Sequence, residues 1–424
     1  MHVKFLILGG GLTGLSTAFH LEERGCTDYL VLERENAPGG LCASQTVDGF
    51  TFDKSGHLLH LHTCEGKKLV KRLLKTNLRR CKRKAFIYTQ NTQVPFPFQA
   101  NLYALPKAER QKCVDGLVKA AQKTYKTAPR TFQAWCLRAF GAGIYKQFMR
   151  PYNTKLWGRS PSRLTAEWCG PFVPKPSVRE VLQSAAQPTQ KSYGYNSFFY
   201  YPKTGGCGAL VAALAAGVSR LKVNTPVTQI DLTTKTVHTP GETFTYDTLV
   251  STLPLPELLR LTHSAPARAW AHKLAHTSVS VFNFAIARRV KPFSWIYFPE
   301  ENVPFYRVGL QSGFSPANAP QNASSFYVEL PGTLPRTPAT EARIWKALSQ
   351  KGIIKSSDTV LFSFWQFLPY AYAVYDVSRT PVVRRALAAL ARRGCLCAGR
   401  YGRWEYSFIE RSLLEGLELA KKLV

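Results

Sequence analysis

Three glycines near the start of the chain have the spacing of a dinucleotide-binding turn. A short β-type run, 3–8, leads into residues 9–14, GGGLTG, and the apolar residues of a predicted helix follow. In such a turn the first glycine permits the tight bend, the second admits a pyrophosphate, and the third lets the helix pack on the strand. Glu33 ends a second predicted strand, 19 residues after Gly14 (33 − 14), where an acid binds a ribose hydroxyl. The pattern predicts a dinucleotide site, with a glycine-rich turn in a nucleotide-free α/β domain as the alternative. The candidate contacts are Gly9, Gly11, Leu12, Thr13, Gly14 and Glu33.

A second glycine pair follows the acidic residue and favours FAD over NAD. Residues 34–41 read RENAPGGL. This pair resembles the second fingerprint of the amine-oxidase-like FAD enzymes, and an ordinary Pro-Gly-Gly turn is the alternative. Near the other end, residues 397–402, CAGRYG, resemble the strand of these enzymes that returns to FAD, before a helix that opens near Glu410. The further candidate cofactor contacts are Arg34, Gly39, Gly40, Leu41, Gly399, Arg400 and Glu410.

The elements that must position these residues indicate an α/β fold with three parts. Apolar positions at helical spacing occur in 105–125 and 130–152, whereas strand-like aromatic runs dominate 270–375. A predicted strand at 223–232 returns to the first part and makes Val227 a further candidate cofactor contact. We therefore predict a discontinuous Rossmann-like FAD-binding domain, an inserted helical domain and an antiparallel β-sheet substrate domain. Their ranges are 1–95, 190–265 and 390–424 for the first, 96–189 for the second and 266–389 for the third.

The charge and the cysteines limit the possible partners. Lys and Arg number 56 against 26 Asp and Glu, a net charge of +30, which attracts anions. No nucleic-acid-binding motif accompanies the densest basic cluster, 67–84, so we expect a solvated basic face or peripheral contact with an acidic membrane surface and no nucleic acid. The ten cysteines have no standard zinc spacing, so no metal site is expected. The glycines that interrupt the apolar N-terminal stretch argue against a secretion signal, and we expect reduced thiols in a cytoplasmic protein of undetermined oligomeric state.

Several phrases, in the same order along nearly the whole chain, resemble UDP-galactopyranose mutases of the eukaryotic type. The family has an Asp-x-Gly-Gly-His segment, a Pro-Tyr-Pro-Phe-Gln segment and further aromatic phrases. The matching segments here are 52–57 (FDKSGH), 94–99 (VPFPFQ), 148–157 (FMRPYNTKLW), 295–307 (WIYFPEENVPFYR) and 399–406 (GRYGRWEY).

This resemblance implies a flavin-dependent sugar-nucleotide mutase that interconverts UDP-galactopyranose and UDP-galactofuranose. In the family, N5 of reduced FAD attacks the anomeric carbon, and a flavin N5–sugar adduct opens and recloses before UDP returns. No separate NAD(P)H fingerprint is evident, so NAD(P)H docking at the flavin face or an outside donor would reduce the flavin. The residues implied as catalytic are Arg307 and Tyr297 at the diphosphate, Tyr406 as a second diphosphate tyrosine, and His57 near N5. The other residues implied to bind substrate are Phe96 and Gln99 at the uracil, Asn153 and Trp157 at the sugar and flavin, and Tyr372, with Tyr370 as the alternative.

The chain departs from the family where a second arginine should bind the diphosphate. Phe172 stands there, which would remove transition-state stabilisation, and Lys175 and Arg179 are the candidates to replace its charge. Ser55 replaces one glycine of the Gly-Gly-His segment, and Phe96 replaces the tyrosine at the base. Two other functions therefore stay open. One is an FAD-dependent oxidoreductase of the protoporphyrinogen oxidase or amine oxidase type, and the other is an inactive basic flavoprotein that acts as a membrane-surface scaffold.

Overall fold

The computed structural model describes residues 1–189, 191, 193–194 and 197–424. The predicted boundary at residue 190 lies outside the described residues. The helices are α1 (Leu12–Glu22), α2 (Cys64–Leu74), α3 (Lys107–Ala121), α4 (Phe132–Ile144), α5 (Arg150–Trp157), α6 (Cys169–Phe172), α7 (Val178–Ala186), α8 (Gly208–Ala215), α9 (Leu255–Leu261), α10 (Ala265–Lys273), α11 (Pro338–Gln350), α12 (Arg379–Ala391), α13 (Gly399–Gly402) and α14 (Ile409–Leu423).

In the described residues, the strands form two large sheets and two small ribbons. They are β1 (His2–Leu8), β2 (Tyr29–Leu32), β3 (Ser44–Val47), β4 (Phe50–Asp53), β5 (Arg79–Lys82), β6 (Ala85–Thr89), β7 (Thr92–Pro95), β8 (Phe198–Tyr201), β9 (Leu221–Lys222), β10 (Gln229–Asp231), β11 (Thr236–His238), β12 (Thr243–Ser251), β13 (His276–Ile286), β14 (Trp295–Tyr297), β15 (Arg307–Leu310), β16 (Ser324–Pro331), β17 (Val360–Ala373) and β18 (Cys395–Cys397).

The first sheet carries the glycine turn. Its order is β10-β11-β12-β1-β2-β9, and β18 also pairs with β12. β1 is parallel to both β12 and β2, and Phe5 to Leu8 are buried because helices cover both faces. α14 lies against α1, where a Cβ at Gly416 would come within 2.6 Å of the Cβ of Ser16. This close contact joins the C-terminal helix to the helix that follows the glycine turn, as the predicted α/β fold requires.

The second sheet has the order β17-β13-β16-β15-β14-β6-β7. Neighbouring strands are antiparallel except β14 and β6, which are parallel. Residues 85–95, which the sequence analysis assigned to the FAD-binding domain, thus belong to this sheet. The residue pattern of β6 and β7 fits a strand of either sheet. It could not predict which sheet they join, because β14, with which β6 pairs, is distant in the sequence. The rest of the predicted domain division stays a prediction.

Helices α3 to α7 follow β7 and precede β8 in the sequence. α3 and α4 cross at glycines, since a Cβ at Gly141 would lie 2.1 Å from the carbonyl oxygen of Gly116. The predicted helix at 130–152 is divided: a π-helical turn, Tyr145–Met149, joins α4 to α5. Among the described residues, no helix has both the length and the apolar character needed to cross a membrane.

Candidate active site

The glycine turn forms a cradle at the end of β1. Gly9 has φ +99°, and a Cβ at Gly14 would lie 2.0 Å from the carbonyl oxygen of Gly9. A Cβ at Gly11 would meet nothing within 4 Å, so open space lies before the start of α1. The Glu33 carboxylate is already fixed beside the turn, because it accepts a 2.7 Å hydrogen bond from the amide of Gly10. The turn, the open space and the helix N-terminus fit a bound pyrophosphate.

The second glycine pair lies directly against the first turn. The amide of Gly39 donates to the carbonyl oxygen of Gly10 at 2.8 Å, and a Cβ at Gly40 would approach the Cα of Gly11 to 3.4 Å. Gly39 and Gly40 both have positive φ, +129° and +55°. Arg34 lies half exposed and pairs with Glu257 at 3.1 Å. The two glycine motifs therefore build one cradle, and Arg34 lies at its surface.

Gly399, near the C-terminal end of the chain, also lies against this cradle. Gly399 has φ +76°, and a Cβ there would lie 2.6 Å from Oγ1 of Thr13. The buried carboxylate of Glu410 accepts from the amides of His62 and Thr63, each at 2.9 Å, and so holds the start of α2.

Val227 is partly buried and lies outside the described strands. Of the strand predicted at 223–232, only β10 (Gln229–Asp231) forms, and it begins after Val227.

One cavity gathers many of the other predicted residues. Its walls come from the loop after β4, the segment after β7, α5, the second sheet and the residues after α13. The predicted residues that line it are Leu41, His57, Phe96, Gln99, Asn153, Tyr297, Arg307, Tyr372, Arg400 and Tyr406.

A buried ion pair dominates the cavity wall. Nε of Arg307 donates to Oε2 of Glu329 at 2.7 Å, and the second nitrogen of the fork, Nη2, bonds Oε1. The side chain of Arg307 is 16% exposed and that of Glu329 is 3% exposed. Ser55, with φ +68°, donates its hydroxyl to the same carboxylate. The carboxylate, opposing the effect of burial, holds the pKa of Arg307 well above its ordinary value.

The aromatic side chains around this pair form two groups. The rings of Tyr372 and Tyr406 stack with their centroids 5.6 Å apart and an interplanar angle of 10°. The Cζ atom of Arg400 lies 5.2 Å from the centroid of each ring. In the second group, the ring centroids of Phe96 and Tyr297 lie 5.6 Å apart. Burial raises the pKa of Tyr297, Tyr372 and Tyr406, so their hydroxyls stay protonated and can donate to an anion.

The remaining predicted substrate residues are tied to the fold. Nε2 of Gln99 donates to the carbonyl oxygen of Pro174 at 2.5 Å, and Nδ2 of Asn153 donates to that of Met149 at 2.7 Å. Trp157 is 1% exposed and packs behind the cavity against Tyr372 at 5.7 Å. The structure thus brings Gln99 and Asn153 to the cavity and places Trp157 in its supporting core.

Phe172 occupies the wall where the resembling family has an arginine. The centroid of its ring lies 4.3 Å from the centroid of the Tyr406 ring. Lys175 and Arg179 are exposed and do not line the cavity. Neither candidate replacement therefore brings its charge to the wall.

A buried lysine fixes the loop that joins β14 to β15. Nζ of Lys155 donates to the carbonyl oxygens of Phe298, Glu300, Val303 and Phe305 at 2.7–2.9 Å. Burial lowers the pKa of Lys155 to about 7, whereas the four converging carbonyl dipoles favour the charged form. Tyr297 and Arg307 lie at the two ends of the loop that this lysine holds.

Several polar atoms near the cavity lack a partner within the described part of the chain. They include Nδ1 of His57 and Nε of Arg400. Buried polar atoms are normally paired, so these point to a ligand that the protein itself does not supply. Together with the glycine cradle, they fit FAD and a polar substrate. No group of three or more His, Cys, Asp or Glu side chains among the described residues is placed to hold a metal ion.

His57 should make stability depend on acid pH. Burial, followed by the cation of Arg400, lowers the pKa of His57 to about 4, against about 6.5 in an unfolded chain. The unfolded state then binds more protons between these values, so stability falls as the pH falls from 6.5 to 4. Burial also lowers the pKa of His20 and His60 to about 4, so each contributes to the same slope. We expect His57→Asn to reduce this slope in urea unfolding of the FAD-loaded protein. His272→Asn, at an exposed position, should keep the wild-type slope. An unchanged slope in His57→Asn would contradict this origin.

Sequence reasoning missed Glu329, although its signal was present. An arginine within an apolar strand requires a counter-charge, and Glu329 is the acid of the strand that pairs with β15. Tyr152 and Tyr306 also line the cavity and were missed, because nothing local distinguishes them from core aromatics.

Comparisons with known proteins agree with this arrangement. A crystal structure of reduced UDP-galactopyranose mutase has a TM-score of 0.94 and 27% identity, covering 99% of this chain and 93% of that one. A fatty acid isomerase from P. acnes, at 14% identity and a TM-score of 0.67, covers 99% of this chain and 98% of that one and shows the fold alone. The predicted resemblance to UDP-galactopyranose mutase is thereby confirmed.

Two curated relatives match only a short stretch. A protein from the nifH2 3′ region of Methanothermococcus thermolithotrophicus is 44% identical over 57 residues, 13% of this chain. A Baeyer-Villiger monooxygenase from Streptomyces coelicolor is 37% identical over 57 residues, also 13% of this chain. The match covers 54% of the first relative and 11% of the second.

The sequence profile of flavin-containing amine oxidoreductases matches residues 12–424. This range begins at Leu12, within the glycine turn, and includes the second glycine pair and every residue of the cavity. The cofactor of this family is a flavin, and the cradle fits its dinucleotide form, FAD. The chain is therefore a flavin enzyme that belongs to the flavin-containing amine oxidoreductase family.

Proposed function

We propose that this protein is a flavin-dependent mutase that interconverts UDP-galactopyranose and UDP-galactofuranose. The observation that carries the proposal is the cavity wall on which Arg307, oriented by Glu329, lies among tyrosine hydroxyls. Glu329 takes one N–H from each of Nε and Nη2 of Arg307, and the other N–H groups of the guanidinium, together with phenol donors, suit a diphosphate. The structural similarity to UDP-galactopyranose mutase supports the same assignment.

The protein's own residues would bind and orient the sugar nucleotide. Arg307 and Tyr297 would hold the diphosphate as it departs and returns, with Tyr372 and Tyr406 as further donors. Phe96 would stack on the uracil, since its ring lines the cavity beside Tyr297. The many aromatic walls would exclude water from the reacting sugar.

The cofactor cradle would hold FAD through the two glycine motifs and Glu33. Reduced FAD, when bound, supplies the nucleophile N5 and takes part in no net oxidation. His57 would face this chemistry as a neutral imidazole, because its pKa is lowered to about 4. We further propose NAD(P)H as the reductant that prepares the active form.

The test is interconversion by the reduced protein. The FAD-loaded protein is reduced anaerobically and incubated with UDP-galactopyranose or UDP-galactofuranose, and the products are separated by chromatography. Interconversion from both directions, with the flavin spectrum still reduced, is the expected result. A lack of interconversion, with no binding of UDP, would overturn the proposal.

The second candidate is an FAD-dependent oxidoreductase on the same scaffold. Phe172 favours it, because an apolar ring lies beside Tyr406 at the position where the mutase family has a cation. This candidate predicts prompt reoxidation by oxygen and reduction of the flavin by an organic substrate. Bound FAD without either activity would instead indicate the inactive scaffold.

Phe172→Arg should raise mutase activity. A guanidinium on this wall would add a charge-assisted bond to the departing diphosphate, as the resembling family implies. Groups of this kind contribute about tenfold to a thousandfold in rate, so we expect kcat to rise by about tenfold or more. The matched control is Phe172→Leu, which should leave kcat within about threefold of the wild type because it adds no donor. Equal activity of the arginine and leucine variants would show that the missing cation does not limit the reaction.

A further inference from the structure

Two long stretches of this chain contain basic residues but no acidic ones. Residues 66–108 hold eleven Lys and Arg and no Asp or Glu. Residues 181–230 hold four basic residues and again no acid. Because charged surfaces normally mix both signs, the places where these two stretches meet should carry an uncompensated positive potential.

The fold brings the two stretches together in a ribbon. β5 pairs antiparallel with β8, so that Arg80 lies opposite Tyr200 and Lys82 opposite Phe198. α2 ends only four residues before β5 begins, and Asn77 in this connection donates to the carbonyl oxygen of Thr204 at 3.1 Å. The helix, the ribbon and the turn after β8 are therefore contiguous.

The exposed cations of this region form what we call the basic face. On α2, Lys68 and Lys71 are exposed at positions i and i+3, which share one side of a helix, and Lys75 is exposed directly after the helix ends. Arg80 and Lys82 are exposed on alternate positions of β5. The basic face consists of Lys68, Lys71, Lys75, Arg80, Lys82, Lys84 and Lys203.

Within the part of the chain that the structure describes, no carboxylate forms a salt bridge with a cation of this face. The salt bridge of residues 66–108 among the described residues joins Arg72 to Glu23 at 2.7 Å, and Arg72 is not part of the face. Phe198, which lies on the same ribbon as Arg80 and Lys82, is 39% exposed. The guanidinium of Arg80 lies 4.3 Å from the centroid of the Phe198 ring. The inner side of the same ribbon is apolar, since Phe199 and Tyr201 are buried in the core cluster that surrounds the cavity.

We propose that the basic face docks the protein on a membrane surface that carries anionic phospholipid headgroups. Clustered Lys and Arg are attracted to such a surface within a Debye length. An exposed aromatic beside them can enter the headgroup layer, where aromatic rings are favoured. Single-stranded nucleic acid is less well matched, because it needs several stacking rings and this face offers one that an arginine already covers.

The experiment uses the FAD-loaded protein and sedimentation with vesicles. Vesicles of phosphatidylcholine alone are compared with vesicles of equal parts phosphatidylcholine and phosphatidylserine, at low and at high salt. We expect binding to the anionic vesicles alone, and its loss at high salt. Equal binding to both kinds of vesicle, or to neither, would overturn the proposal.

Charge reversals distinguish this face from the general positive charge. Lys71→Glu/Lys75→Glu/Lys82→Glu should weaken binding by at least about tenfold. The matched control, Arg384→Glu/Arg385→Glu/Arg392→Glu on α12, changes the net charge by the same amount at exposed positions and should bind as the wild type does. Equal weakening in both triple variants would show attraction by total charge and overturn the assignment.

A neutral substitution tests the aromatic contact. Phe198→Ser leaves the charge unchanged and should weaken vesicle binding by about threefold or more if the ring enters the interface. Polyuridylate provides the nucleic-acid outcome: binding to it without binding to anionic vesicles would replace the membrane with a nucleic acid. The flavin spectrum and the melting temperature report whether each variant is folded.

Discussion

Arg307→Met is expected to lower both the stability and the turnover of the enzyme. The substitution leaves the carboxylate of Glu329, 3% exposed, without its counter-ion. Breaking a buried pair in this way costs about 3–5 kcal/mol, measured as the loss of unfolding free energy in urea. Removal of the diphosphate's cation should lower kcat by about a hundredfold to a thousandfold.

Adding a second substitution separates the two effects. In Arg307→Met/Glu329→Gln the uncompensated charge is gone, so most of the lost stability should return. Turnover should stay low, because the cation that binds the diphosphate is still missing. The control is Arg72→Met, which breaks an exposed pair with Glu23 and should cost no more than about 1 kcal/mol.

Two outcomes would contradict this account. If the double variant recovered turnover along with stability, Arg307 would act only as a structural partner of Glu329. If the single variant kept kcat near the wild-type value, the diphosphate would bind elsewhere. The substrate concentration dependence of both variants distinguishes loss of binding from loss of transition-state stabilisation.

The parts of this molecule that depend on neighbouring residues could be predicted from the sequence. The glycine turn at 9–14 and the acid at its partner strand have a fixed spacing, because backbone geometry sets how close a pyrophosphate can approach. The structure places the second pair, Gly39 and Gly40, against the same turn. Steric requirements of this kind involve residues within about forty positions of each other, so they can be recognised from residue types and spacing.

Contacts between distant segments could not be predicted in the same way. The pairing of β6 with β14 joins residues about 210 apart, and either sheet would accept so short a strand. Glu329 was missed for the same reason, although the charge of Arg307 implied some partner. The resemblance to a known family named the residues of the cavity wall, but it could not show which acid holds Arg307 or that Trp157 lies behind the wall.

Lys155 is the clearest example of a role that the sequence conceals. It lies in the segment 148–157 between Asn153 and Trp157, the two residues of that segment to which the family resemblance assigns a role. Only the structure shows that its ammonium group lies among four carbonyl oxygens of the loop between β14 and β15. An ammonium group has three hydrogens, so at least one is shared between two acceptors.

Lys155→Met is therefore expected to destabilise the protein and to disturb the active site together. The methionine fills most of the space, but the carbonyl oxygens of Phe298, Val303 and Phe305 lose the donor that Lys155 supplies, at a cost of about 1–3 kcal/mol for each group that water cannot reach. The carbonyl oxygen of Glu300 still accepts from the amide of Val303 at 3.2 Å. We expect a loss of about 4 kcal/mol in urea unfolding and a fall in kcat, because Tyr297 and Arg307 flank the loop. Lys146→Met, at an exposed position, should change neither quantity.

A smaller substitution tests whether the charge itself organises the loop. Lys155→Ala removes the stem and leaves a space lined by carbonyl oxygens, which a small cation can occupy. Added ammonium or methylammonium should then restore part of kcat and of the melting temperature, whereas tetramethylammonium, which has no N–H, should not. If neither small cation restores activity while the variant is folded, the lysine acts through its packing alone, and the loop between Tyr297 and Arg307 keeps its shape without a central charge.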